Sequence, residues 1–186
     1  MPRIFTALEI PRDVALALSM LRGGLPGARW IDPENYHLTL RFIGDVDDVL
    51  AREIAYLLDQ IERPAFELRF AQLASFGGRR PRAVIAAAEP IAPLIELQAE
   101  QERLFQRIGL EPEGRKFTPH VTLARLRDSS SHQVADYLSV RAPVRVEPFP
   151  VSRFVLFSSR SSVGGGPYVV EAAYPLAGRT LEFTRT

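Results

Sequence analysis

Two short stretches of this chain share one frame. Tyr36-His37-Leu38-Thr39-Leu40 and Pro119-His120-Val121-Thr122-Leu123 each alternate polar and apolar residues. In a strand, side chains two apart leave the same face. Each stretch therefore predicts a half-buried strand that presents one imidazole and one hydroxyl and buries two aliphatic side chains. A chain carrying this pattern twice must supply two such strands, each with one face open.

The surrounding segments repeat in the same way. Ile4–Ile10 reads as a strand, and Pro11 opens a helix that runs to Leu21 with Val14, Leu18 and Leu21 on one face. Trp30-Ile31 is short and extended, and Tyr36–Ile43 is a strand closed by Gly44-Asp45. Asp47 caps a helix with Leu50, Ile54, Leu57, Leu58 and Ile61 at helical spacing. Phe66–Phe70 and Arg82–Ala88 are expected to form a hairpin around the turn Gly77–Pro81. Pro93–Ile108 is a helix ended by Gly109, Thr118–Leu126 a strand and Ser131–Val140 a short helix. Arg153–Phe157 and Tyr168–Tyr174 close the chain as strands around Gly164-Gly165-Gly166-Pro167. The order predicts an α+β protein of one domain over residues 1–186. It is expected to be bilobal, with two antiparallel sheet lobes related by an approximate twofold, outer helices and a central cleft.

Composition narrows the chemistry. An apolar share of 46 % with 24 % charged residues suits a globular protein. The net charge of +1 gives no global field, so any polyanionic partner must be met by local placement of arginines. Lys116 is the only lysine; this arginine bias suits phosphate recognition, although GC-rich coding produces it as well. The chain has no cysteine, which excludes disulfides, thiolate catalysis and cysteine-held zinc. No apolar run reaches the roughly 20 residues that cross a bilayer, so a soluble cytoplasmic monomer with no membrane contact is expected.

Two histidines facing one cleft suit phosphodiester cleavage without metal. A neutral imidazole takes the proton of the attacking oxygen, and an imidazolium gives one to the departing oxygen. A hydroxyl at i+2 can hold a non-bridging phosphate oxygen. Zinc usually takes three protein ligands, and no third histidine or carboxylate stands at suggestive spacing. Neither metal nor cofactor is expected. His132, after Ser129-Ser130-Ser131, is expected at the surface.

At these residues the chain resembles the 2H phosphoesterase superfamily, and within it the RNA 2',3'-cyclic phosphodiesterases, historically called 2'-5' RNA ligases. The likeness also rests on Phe5–Pro11, Trp30-Ile31, Glu34-Asn35-Tyr36, Arg41–Gly44, Phe117–Pro119, Ala124-Arg125, Tyr168 and Pro175-Leu176. Ala86 departs from it, standing where relatives often carry tryptophan. The resemblance implies hydrolysis of RNA terminal 2',3'-cyclic phosphate to a 2'-phosphomonoester, with reversible 2',5' joining by the same two histidines. It implies that His37 is the proton donor, His120 the proton acceptor, and Thr39 and Thr122 the phosphate holders. RNA with cyclic phosphate ends, or a nucleotide cyclic phosphate, is the implied partner. Two other readings remain open: the same chemistry on a small nucleotide such as an ADP-ribose cyclic phosphate, and a non-catalytic RNA-end-binding module.

Further residues are candidates for binding substrate. Strict alternation puts Arg41 on the His37 face, where it can receive a phosphate or the RNA backbone. Arg125 matches a family position associated with the active site, yet alternation sends it away from His120; a bulge near Ala124 would reconcile the two. Phe42 is expected in the core. Tyr168 can stack on a base, bind a phosphate or simply pack within its strand. The Arg79-Arg80-Pro81-Arg82 cluster is expected to be a solvated turn, its other reading being a guide for RNA.

Overall fold

The computed structural model describes residues 3–141, 144–159 and 166–177. Strand β1 (Arg3–Glu9) leads to helix α1 (Arg12–Ser19), strand β2 (Ala28–Trp30), a 3-10 turn at Pro33–Asn35, strand β3 (His37–Asp45) and helix α2 (Asp48–Asp59). Strands β4 (Phe66–Leu68), β5 (Phe70–Phe76) and β6 (Ala83–Ala88) precede helix α3 (Ala92–Arg107). Strand β7 (His120–Leu126), helix α4 (Ser131–Arg141) and strands β8 (Phe149–Val151), β9 (Arg153–Ser159) and β10 (Tyr168–Pro175) follow. The α+β expectation holds. Local signals act where they were expected: Asp47 accepts a hydrogen bond from the Leu50 amide at 2.8 Å, and Gly109 takes φ +90° just past α3. The first half of the Gly164–Pro167 turn lies outside the described residues.

The two sheet halves are joined. The strand order is β10-β9-β1-β3-β7-β6-β5, antiparallel throughout, and β3 meets β7 at one residue pair, Leu38 with Val121. Beyond that pair β2 takes the free edge of β7. Buried residues of all four helices pack with Leu8, Leu38, Leu40, Val121 and Leu123 in one core. A smaller cluster of Phe5, Ala7, Val155 and Phe157 lies apart from it. Alternation along β1 sets these two clusters on opposite sheet faces: Leu8 points to the helices, Phe5 and Ala7 away from them. Ala86 is buried beside Val121, so its small side chain belongs to the helix-side core.

The expected hairpin of Phe66–Phe70 with Arg82–Ala88 is not the one formed. The apolar run breaks at Arg69: β4 pairs with β8 in a separate two-stranded ribbon, and β5 pairs with β6. This arrangement exposes the duplication. The offset between His37 and His120 is 83 residues, and it also relates Asp48 to Ser131, Phe66 to Phe149, Phe70 to Arg153 and Phe76 to Ser159, the starts of α2/α4, β4/β8 and β5/β9 and the ends of β5/β9. By that offset Leu38 and Val121 are equivalent, and so are Glu67 and Pro150, which pair within the ribbon. An approximate twofold axis therefore passes through both pairs. The final strand of each copy is exchanged: β5 lies in the half that carries β7, and β9 in the half that carries β3.

Candidate active site

His37 and His120 open β3 and β7, on either side of the Leu38–Val121 pair. An antiparallel register places His37 diagonal to His120, with each histidine set toward the other motif's threonine. Both line a single open cleft of about 820 Å³ together with Thr39, Thr122, Arg125 and Tyr168. The four motif residues expected to converge do so.

Each imidazole is tethered in the same way. His37 Nδ1 lies 2.9 Å from the carbonyl oxygen of Asn35, and His120 Nδ1 lies 2.6 Å from that of Thr118. A carbonyl only accepts, so both Nδ1 atoms carry the hydrogen and both Nε2 atoms are left for substrate. Burial pushes the His37 pKa down; the Asn35 carbonyl opposes this, and the charges of His120 and Arg125 add to the lowering. His120 is also lowered by burial and partly restored by the Thr118 carbonyl. The free site therefore favours neutral imidazoles near pH 7.

The ring of His37 sits among aromatic groups. Phe5 lies 5.1 Å away between centroids, and Tyr168 meets it edge-on at 4.9 Å. Tyr168 thus packs against the imidazole and also lines the cleft. Gly166, at φ +96°, rests on the Asn35 side chain so closely that any Cβ there would overlap it. On the other half, Phe76 stands edge-on to His120 at 4.8 Å. Phe76 ends its strand, and nothing in its local pattern marks it for the site.

Matched bulges correct two expectations. On β3, Thr39 pairs with Ala7 and Arg41 with Thr6, so Leu40 is the extra residue. On β7, Thr122 pairs with Ile85 and Ala124 with Val84, so Leu123 is extra. Each bulge reverses the alternation beyond it. Arg41 still borders the cleft, but its guanidinium does not project from the His37 face. It turns to the helix side, 8 % exposed, with Nε 2.5 Å from Glu102 and its other nitrogens donating to the Phe42 and Glu111 carbonyls. Phe42 is not core: it is 52 % exposed and stacks on Phe5 at 5.1 Å. Arg125, by the same shift, comes to the cleft face, where its charge acts on His37. Phe42 and Arg125 are 83 residues apart and occupy equivalent positions.

His132 is exposed and lies 3.4 Å from Asp136, away from the cleft. Among the described residues no three His, Asp or Glu side chains gather as a metal site. No helix among them is long and apolar enough to cross a membrane.

Comparison with known proteins agrees with this geometry. The LigT-like phosphoesterase family model matches the chain twice, over residues 8–86 and 84–168. The RNA 2',3'-cyclic phosphodiesterase of Aquifex aeolicus is 30 % identical over 155 residues, covering 81 % of this chain and 82 % of that protein. The Escherichia coli protein of the same name is 27 % identical, covering 89 % and 92 %. The crystal structure of E. coli LigT complexed with 3'-AMP superposes with a TM-score of 0.75 at 26 % identity, covering 95 % of this chain and 99 % of that one.

Proposed function

The chain belongs to the LigT-like phosphoesterase family, and from that premise we propose that it hydrolyses RNA terminal 2',3'-cyclic phosphate to a 2'-phosphomonoester. It does so as a single domain whose two lobes each supply one motif. The observation that carries this reading is the pair of equivalently tethered imidazoles, each with a threonine two residues on, in one cleft.

His120 Nε2 takes a proton from water as the water oxygen bonds to phosphorus. The bond from phosphorus to the 3'-oxygen breaks, and His37 Nε2–H protonates that oxygen. The products are a 2'-phosphomonoester and a free 3'-hydroxyl, and proton exchange with solvent resets the pair. Thr39, Thr122 and Arg125 hold the non-bridging oxygens. The bound phosphodiester is an anion; its field opposes that of Arg125 and raises the His37 pKa, so substrate itself favours the acid form. With a 5'-hydroxyl in place of water, the same forward step joins the 5'-oxygen to phosphorus as the 3'-oxygen leaves, which makes a 2',5' bond; run backward, it cleaves that bond.

The test is product identification from an oligoribonucleotide of defined cyclic-phosphate end. We expect a 2'-phosphate, no effect of EDTA, and losses of about 10²–10⁴ in kcat for His37→Ala and for His120→Ala. A 3'-phosphate product, or full activity in either variant, overturns the proposal.

A further inference from the structure

The protein is nearly neutral, with 23 basic and 22 acidic residues, yet its cleft is not. Its lining carries six cationic side chains and Glu113 as its one carboxylate among the described residues. Three of the six are compensated. Arg41 pairs with Glu102, Arg3 lies 3.6 Å from Asp45, and Arg115 lies 3.6 Å from Glu113. The other three, Arg82, Lys116 and Arg125, form no ion pair among the described residues.

All three belong to one side. Arg125 lies on β7, Lys116 in the segment leading to it, and Arg82 just before β6, whose first residue pairs with Arg125. The β5–β6 turn then carries the charge outward. Gly77 at φ +104° closes it, with the Arg80 amide donating to Gly77 O at 3.0 Å and the Arg82 amide to Phe76 O at 2.7 Å. Arg79 and Arg80 ride on this turn, both exposed and without an ion pair among the described residues. The half that carries β3 is different: there Arg3 faces Asp45, and Arg153, outside the cleft lining, binds Glu9 through bonds of 2.7 and 3.0 Å.

We propose that Arg82 and Lys116, extended by Arg79 and Arg80, form a phosphate track that binds the phosphodiesters upstream of the reacting end. The favoured ligand is then an oligoribonucleotide rather than a single nucleotide. This rests on the hydrolase reading above and adds a second binding region to it. Arginine and lysine left without carboxylates beside a catalytic cleft have phosphates as their natural partners. The scissile phosphate occupies Arg125, so Arg82 and Lys116 serve the next phosphate and the turn the one after.

The track can be read by binding, with no turnover. Affinities of a 3'-phosphorylated tetraribonucleotide and of the matching nucleoside 3'-phosphate are measured by calorimetry. We expect the tetranucleotide to bind at least about tenfold more tightly at 50 mM salt, and two extra contacts to cost it about sevenfold more than the mononucleotide on moving to 200 mM salt. Arg82→Ala combined with Lys116→Ala should bring the tetranucleotide to within about threefold of the mononucleotide, whose own affinity stays as it was. Equal affinities for the two ligands, or equal weakening of both by the variant, overturn the track. Turnover of the same tetraribonucleotide ending in a 2',3'-cyclic phosphate, followed in parallel, reports on the two-histidine chemistry separately. Its absence alongside a tetranucleotide preference would remove the hydrolase reading and leave the track.

Discussion

Both catalytic candidates are imidazoles whose neutral form is favoured, and this links the site to stability. His37 has its folded pKa below the ordinary histidine value of 6.5, chiefly through burial. The unfolded chain therefore binds more protons near that pH than the folded one. The resulting stability is complete above about pH 6.5 and is lost as pH falls through the lowered value. Urea unfolding at pH 7 and at pH 5 should show the midpoint falling with acid, and His37→Gln should make the fall shallower. An unchanged slope in that variant would mean that His37 is not held neutral. At this scale the sequence was informative. His37, Thr39, His120 and Thr122 were legible because strand alternation operates over three residues, and no bulge intervenes between a histidine and its threonine. Phe76 was not legible, because it reaches His120 only through the pairing of β5 with β6 and of β6 with β7.

Beyond those three residues each motif strand bulges, and there the alternation rule fails. Arg41 and Phe42 exchange roles as a result. Their variants should separate cleanly. Arg41→Ala leaves Glu102, a largely buried carboxylate, without its guanidinium. We expect a cost of about 2–3 kcal/mol, somewhat under the roughly 3–5 kcal/mol for breaking a fully buried pair because Glu102 keeps some contact with water. Its effect on KM should be small. Phe42→Ala should leave the unfolding midpoint near that of the wild type and raise KM, since an exposed ring facing the cleft offers a surface for a base. The reverse pattern would show that Arg41, not Phe42, faces substrate. Periodicity cannot announce a one-residue insertion; for Arg125 the only signal was likeness to a family. The same limit hid β8, because Pro150 speaks against a strand in sequence. It is tolerated here in a two-stranded ribbon, where one side of each strand is free of a pairing neighbour.

At the scale of the whole molecule, the order of elements made the duplication visible, but not the crossing of its copies. Local patterns carry no record of which sheet edge a strand will join. β4 and β5 follow each other in sequence with only Arg69 between them, yet one joins the ribbon and the other crosses to the far half. The exchanged strands mean that the repeat boundary in the chain is no boundary in space. A cut between Gly77 and Gly78 would leave two fragments with one histidine motif each, and neither would hold a complete half-sheet: the first lacks β9 for β1, the second lacks β5 for β6. Separately the fragments should be inactive and poorly folded; coexpressed, they should reassemble and recover turnover, as assayed on a cyclic-phosphate substrate. Activity in one fragment alone would contradict the exchange. The molecule is thus a ready-made split reporter, in which neither fragment can hold a working site until the other completes its sheet.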